Sequence, residues 1–285
     1  MRLQLFRSLW TNGFNLDAAL GDVRSGAFDG VEGPVPENIS ERRAFSSKLK
    51  NTATPFIAEI VTGGGYVPRH TSPEKHFDEF RRKADASLAC RPRFLTVLTG
   101  CDGWPLEQTA AYLGRVLDFT RQIGIDCCIE THRSRPTFNP WITRDLLLRL
   151  PALRLTCDFS HWCCVCERLV LDDEPEILAL CAARAGHIHG RVGYDQGPQV
   201  PHPNSPEYLP ALESHERWWR QLWTARQNAG YDTVTMTPEF GPDGYLHTIP
   251  FTGKPVANLD EINHRMAARL RASFARFSEQ PAPTP

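Results

Sequence analysis

The apolar residues of this chain come in short runs at regular intervals, and that spacing constrains the fold more than any single residue. Eight runs read as strands: 3–10, 30–35, 56–62, 94–100, 126–132, 153–159, 185–192 and 233–240. The segments that alternate with them read as helices: 17–28, 37–52, 72–90, 105–124, 141–150, 174–184, 215–230 and 259–277. The clearest is 105–124, where Ala110, Leu113, Val116, Leu117 and Thr120 share a face and Gly124 supplies a C-terminal stop. Asn15 or Asp17 can cap the first helix, and Pro73 sits in the first turn of the third. Eight strands alternating with eight helices predict an α/β chain forming a single (β/α)8 barrel with eight parallel strands. The barrel is expected over 1–278, followed by a loose Pro-rich tail, 279–285. An open doubly wound sheet would carry a Gly-rich turn after its first strand, and Thr11-Asn12-Gly13-Phe14 is not one. Long segments follow strands seven (193–214) and eight (241–258). In a barrel both lie over the C-terminal face, where long loops act as walls or lids.

Composition removes several function classes. With 285 residues and 41% hydrophobic content, the chain can bury a core of barrel size. The 32 basic residues balance the 33 acidic ones, so no general attraction to nucleic acid or anionic membrane is expected. No apolar run is long enough to span a bilayer, and the N-terminal residues do not read as a signal peptide; the expected location is cytoplasmic. Nine cysteines, an odd number, fit free thiols in a reducing compartment. Cys163-Cys164-Val165-Cys166 contains a CxxC, but no second pair matches it, so these residues read as packing beside the preceding loop.

The chemistry lies at the C-terminal ends of the later strands. Strand five ends Ile129-Glu130-Thr131-His132, and strand six ends Cys157-Asp158-Phe159-Ser160-His161. Strand seven reads His187-Ile188-His189-Gly190-Arg191, and strand eight ends Thr237-Pro238-Glu239-Phe240-Gly241. Strand alternation puts Cys128, Glu130 and His132 on one face, His187, His189 and Arg191 on one face, and Thr235, Thr237 and Glu239 on one face. If these faces point inward, Glu130, Asp158, His189 and Glu239 meet at the mouth. Any one of them alone reads as a solvated charge or a core hydrogen-bonding group. Four on consecutive strands, all at the same end, read as a cation site, because three carboxylates in one place repel unless a cation sits among them. An oxygen-rich set with one imidazole suits Mn2+ or Mg2+, with Co2+ or Zn2+ as further candidates.

This pattern of Glu, Asp-x-x-His, His-x-His and Glu on strands five to eight resembles the xylose isomerase-like TIM barrels, from about residue 3 to 277. Within that superfamily the stretches IETHR, DFSHW, RVGYDQGPQVPHP and TPEFGPDGYLHTIPF look most like members of the sugar phosphate isomerase/epimerase type. The resemblance implies a metal-dependent isomerase or epimerase acting on a small carbohydrate, with homodimers common. It implies that Glu130 and Glu239 both bind the metal and move protons, and that His161 and Arg191 contact substrate. His132, Glu59, Trp10, His187, Tyr245 and His247 complete the expected contact set, lying near or after strand ends. One departure is visible. Epimerases of the superfamily carry another Glu soon after the strand-five Glu, where this chain has Arg133-Ser134-Arg135-Pro136. Arg133 and Arg135 suit a substrate carboxylate or phosphate, or read as solvated loop charges. A lyase or dehydratase on a keto-sugar or glycoside is the nearest alternative, because the same proton abstraction followed by loss of a β-substituent gives elimination. A phosphodiesterase like endonuclease IV fits less well, since strand four ends without a His and the chain is not basic.

Overall fold

The computed structural model describes residues 1–242 and 244–279. Eight strands pair in parallel, in chain order, into a closed barrel: β1 (Arg2–Ser8), β2 (Gly30–Pro34), β3 (Phe56–Val61), β4 (Leu95–Leu98), β5 (Cys127–Glu130), β6 (Arg154–Cys157), β7 (Ala185–His189) and β8 (Thr233–Thr237). The (β/α)8 architecture expected from the sequence is therefore the one observed. From residue 280 onward the expected Pro-rich tail lies outside the described residues.

The helices are α1 (Leu16–Arg24), α2 (Ile39–Asn51), α3 (Pro73–Ser87), α4 (Leu106–Gln122), α5 (Pro140–Arg149), α6 (Ser160–Val165), α7 (Pro175–Arg184), α8 (Leu209–Asn228) and α9 (Leu259–Ser278). Asn15, Asn38, Ser72, Asn139 and Asn258 cap five of them by accepting hydrogen bonds from first-turn N–H groups. Two helices differ from the sequence reading. The short α6 forms directly after β6, where a loop was expected. Helix α8 starts at Leu209 rather than at 215, because Pro210 falls in its first turn, where no backbone N–H is needed. The segment after β7 is thereby shortened to 190–208. None of the described helices is long and apolar enough to cross a membrane.

Alternation along the strands sorts the core into two layers. Leu5, Val31, Ala58, Val97, Ile129, Leu155, Ile188 and Met236 face the helices and are fully buried among apolar neighbours. Fully burying a side chain of this kind contributes about 1.5–3 kcal/mol. The opposite face is unusually polar. The Thr96 and Thr156 hydroxyls meet at 2.6 Å across the interior, and His187 Nδ1 lies 2.8 Å from Thr235 Oγ1. The Phe6 ring fills the lower interior, and a Cβ on Gly30 would stand 2.5 Å from it. The barrel is thus a filled core whose polar stack rises toward one mouth.

The link between β7 and α6 depends on another close approach. A Cβ on Gly193 would lie 2.3 Å from the backbone oxygen of Ser160, a contact no side-chain rotation relieves. Gly193→Ala should lower the unfolding free energy by about 1–3 kcal/mol in denaturant melts. Gly114, in the middle of α4, has nothing within 4 Å of the equivalent point. Gly114→Ala should instead raise stability by about 0.5–1 kcal/mol. Equal effects in the two variants would contradict this assignment of the packing.

Candidate metal centre

The C-terminal mouth gathers carboxylates from five strands. Glu130 ends β5, Asp158 follows β6, His189 ends β7 and Glu239 follows β8. All four are buried, and one ligand atom from each lies within 4.8 Å of the others. The strand ends thus bring together the quartet expected from the sequence. β2 and β3 add two more buried carboxylates, Glu32 and Glu59.

Glu32 was missed by the sequence reading, and it organises the site. One of its oxygens lies 3.1 Å from His189 Nε2 and the other 3.2 Å from His187 Nε2, and it also accepts a hydrogen bond from the Thr237 hydroxyl. Burial works against its charge, but His189 and His187 outweigh burial and hold Glu32 well below the usual carboxylate range. A charged Glu32 makes His189 a donor at Nε2, which leaves Nδ1 to face the mouth. Nδ1 lies 2.9 Å from Glu239 Oε2 and 3.7 Å from Glu130 Oε1 without an aligned hydrogen bond to either. This is the way a carboxylate orients a metal-binding imidazole from behind. The signal in the sequence was Gly30-Val31-Glu32-Gly33, an acid on the inward face of a buried strand.

Without a cation, protons accumulate in this acid-rich pocket. Burial and the charges of Glu239 and Glu130 raise Glu59 well above its ordinary range. Burial pushes Glu130 up to about 7, against the pull of His189. Burial disfavours a charged His189, but Glu239, Glu32 and Glu130 together raise its pKa well above the usual imidazole value. The donor set fits a divalent cation in two respects: it carries excess negative charge, and it presents a buried imidazole nitrogen with no hydrogen-bond partner.

Asp158 is shared. It is paired with the Arg191 guanidinium and accepts from the Ser160 backbone N–H at 3.1 Å. Arg191 is fully buried, donates to Ser160 Oγ at 3.2 Å and to His161 Nε2 at 2.9 Å, and has no partner for Nη1. His132 and His161 stack at 3.9 Å between ring centroids, and burial keeps both pKa values well below the ordinary imidazole range. Glu130, His132 and His161 form a further group of potential ligands that shares Glu130 with the quartet. Trp10, Tyr66 and Tyr245 roof the cavity over Glu59, Glu130 and Glu239, which encloses only about 10 Å³. That is room for an ion or a water but not a sugar. Tyr66 was not singled out from the sequence; it follows the Gly63-Gly64-Gly65 turn, in which Gly63 and Gly64 adopt φ values of 82° and 88°. A Cβ on Gly241 would fall 1.8 Å from the Trp10 indole, so that glycine lets the roof close.

Several expectations are revised. His187 lies one layer below His189, held by Thr235, Glu32 and Thr237, so it supports the centre rather than lining the cavity. His247 is exposed, its ring 6.5 Å from that of Tyr194, and it too stays outside the lining. Both long loops reach the cavity, the one after β7 through Arg191 and the one after β8 through Glu239 and Tyr245, whose hydroxyl lies 3.3 Å from His132 Nε2. The loop after β7 also braces the one after β8, exchanging hydrogen bonds between Gln199 and the Gly241 backbone. Arg135 is neither a ligand for substrate anions nor a solvated charge. It is fully buried and donates to the backbone oxygens of Thr62, Gly100 and Gly65 at 2.9, 3.1 and 2.6 Å, tying three loops together. Arg133 lies over the Tyr245 ring at 5.1 Å. All nine cysteines are free, and none joins a group of potential ligands among the described residues.

No family profile and no curated protein matches the chain in sequence. Solved structures match it in fold. A crystal structure of the IolI protein with a bound zinc atom superposes with a TM-score of 0.65 at 11% identity, covering 97% of this chain and 100% of that one. A xylose isomerase-like TIM barrel protein from Mycobacterium smegmatis in complex with magnesium gives 0.62 at 14% identity, covering 95% and 97%. D-allulose 3-epimerase from Methylomonas sp. in complex with D-allulose gives 0.60 at 12% identity, covering 95% and 97%. At these identities the likeness is one of fold, and it agrees with the barrel type that the sequence resembles.

Two expected outcomes follow for metal titrations followed by calorimetry. Glu32→Gln should weaken Mn2+ affinity by roughly 10–100-fold, since the imidazole loses the carboxylate behind it. Because burial pushes Glu130 up to about 7, Mn2+ uptake near neutrality should release protons, and affinity should rise with pH through that range. Uptake without proton release, in buffers of different ionisation enthalpy, would contradict the reading.

Proposed function

We propose that this chain is a divalent-metal-dependent isomerase or epimerase acting on a sugar or keto-sugar by abstraction of a proton from carbon. The observation that carries the reading is the quartet of Glu130, Asp158, His189 and Glu239 within 4.8 Å, with His189 Nδ1 free to face it. These four residues would hold the ion, with Mn2+ or Mg2+ best suited to three carboxylates and one imidazole. The solved structures with related folds include proteins with bound zinc, with magnesium and with a ketose, which fits that proposal.

When bound, the ion supplies positive charge to adjacent substrate oxygens, which makes the neighbouring C–H more acidic. The protein supplies the remaining parts. Glu130 and Glu239 are the proton carriers. A group whose pKa lies near the working pH both accepts and returns a proton, and burial moves Glu130 in that direction. Arg191, immobilised by Asp158 and Ser160, presents its unpartnered Nη1 to a substrate oxygen. The buried, neutral His161 and His132 stack beside it and present no additional cation. Trp10, Tyr66 and Tyr245 exclude water, which protects a carbanion-like species from unwanted protonation. Because the closed cavity takes an ion but no sugar, the Tyr66 and Tyr245 loops must move to admit substrate.

Reaction in D2O should place deuterium on the product carbon beside the carbonyl. Glu130→Gln or Glu239→Gln should lower turnover by a factor on the order of hundreds or more, without lowering Tm. An isomeric product carrying deuterium supports this reading. Loss of water or of an attached group indicates the lyase alternative. Solvent oxygen-18 in a cleaved phosphodiester, with no carbon-bound deuterium, would overturn proton abstraction.

A further inference from the structure

A second cavity lies directly behind the roof of the metal centre. Glu59 and Tyr66 line both spaces and form the wall between them. The second space is about 160 Å³, far larger than the closed metal cavity. Its other walls come from the loop after β1, the end of β2 and α3, with Phe14, Pro34, Val35, Pro36, Val61 and Ala86 supplying an apolar surface.

Three observations bear on what it holds. First, Phe14 is 53% exposed and adopts a left-handed backbone with φ 61°, next to Gly13 at φ 69°. An aromatic residue held in that region costs of order 1 kcal/mol, and such strain concentrates at ligand clamps. Secondly, the cations at the rim are engaged. Arg82 pairs with Glu37 at 3.3 Å, Lys83 donates to Glu79 and to the Val61 carbonyl, both at 2.7 Å, and Arg42 donates to the Pro36 and Glu37 carbonyls at 3.2 Å. The cavity therefore offers apolar walls rather than free positive charge, which favours an apolar group over a phosphate. Thirdly, Tyr66 is carried just after the left-handed glycines Gly63 and Gly64, in a loop whose outer residues Gly64 and Val67 are exposed. Withdrawal of this ring would remove one of the two side chains that separate the spaces.

We infer that the second cavity is a subsite for a flat apolar group attached to the sugar, so that the substrate is a glycoside with an apolar or aromatic aglycone. The inference rests on the metal-dependent sugar reading above and narrows its substrate class. The sugar would occupy the metal centre, the aglycone would pass the position of Tyr66, and Phe14 and Ala86 would flank it.

The test uses the full chain loaded with Mn2+ and two inert probes, phenyl β-D-glucopyranoside and methyl β-D-glucopyranoside. Calorimetry should show the phenyl compound binding roughly 10–100-fold more tightly, the worth of burying one aromatic ring. Bound Mn2+ should broaden the proton resonances of both the sugar and the ring. Ala86→Trp, which fills the cavity away from the metal centre, should abolish the preference while leaving Mn2+ stoichiometry and methyl glucoside affinity unchanged. Phe14→Ala should reduce the preference without any need to overfill the fold. Equal affinity for the two probes with Mn2+ bound would overturn the subsite and leave the metal reading standing. A phenyl preference that survives Ala86→Trp would also overturn it. A phenyl preference in a chain that takes up no Mn2+ in the same titrations would uphold the subsite and overturn the metal reading.

Discussion

Like-charge repulsion among buried carboxylates is the constraint on which the rest of this structure turns. Glu32, Glu59, Glu130, Asp158 and Glu239 all point to one end of the barrel and are nearly out of contact with water. Against them stand one permanent cation, Arg191, and the imidazole of His189. Such an arrangement is stable only if protons or a cation take up the excess charge. Glu59, Glu130 and His189 are all shifted upward, toward the forms that carry a proton. A divalent ion would replace such protons, and the proposed chemistry reuses two of the same carboxylates.

The barrel makes this concentration of charge sustainable. Parallel strands deliver their C-terminal ends to one face, and the loops there are free to vary. The polar interior column of His187, Thr235, Thr237 and Glu32 anchors His189 from below, so the charged layer rests on hydrogen bonds rather than on apolar packing. Arg135 performs a comparable task at the side, where its guanidinium satisfies three backbone carbonyls of loops bordering the mouth. The aromatic roof then closes over a space sized for an ion, with a larger apolar space behind it.

Much of this was legible in the sequence, because alternation and strand order are local signals. Eight apolar runs separated by helices specify the barrel, and parity along strands five to eight brings Glu130, Asp158, His189 and Glu239 to one mouth. Other features depend on contacts between distant segments. Glu32 is 157 residues from His189, and nothing local marks it as the imidazole's partner. Arg135 reads as a loop charge until the carbonyls of Thr62, Gly65 and Gly100 are seen around it. His187 shares a strand face with His189, yet parity does not reveal that it sits one layer deeper, beneath the site. His247 lies in a segment that does cover the mouth, but the loop's path turns that side chain outward. The wall shared by Glu59 and Tyr66 is a property of packing that no periodicity encodes.

The central claim is that these carboxylates and His189 hold a divalent cation. Anomalous diffraction from crystals grown with Mn2+, recorded on both sides of the manganese edge, tests it most directly. The account predicts one anomalous peak per chain, with oxygens of Glu130, Asp158 and Glu239 and Nδ1 of His189 at about 2 Å from it. A fully occupied crystal with no peak there, or with its peak on other residues, would contradict the account.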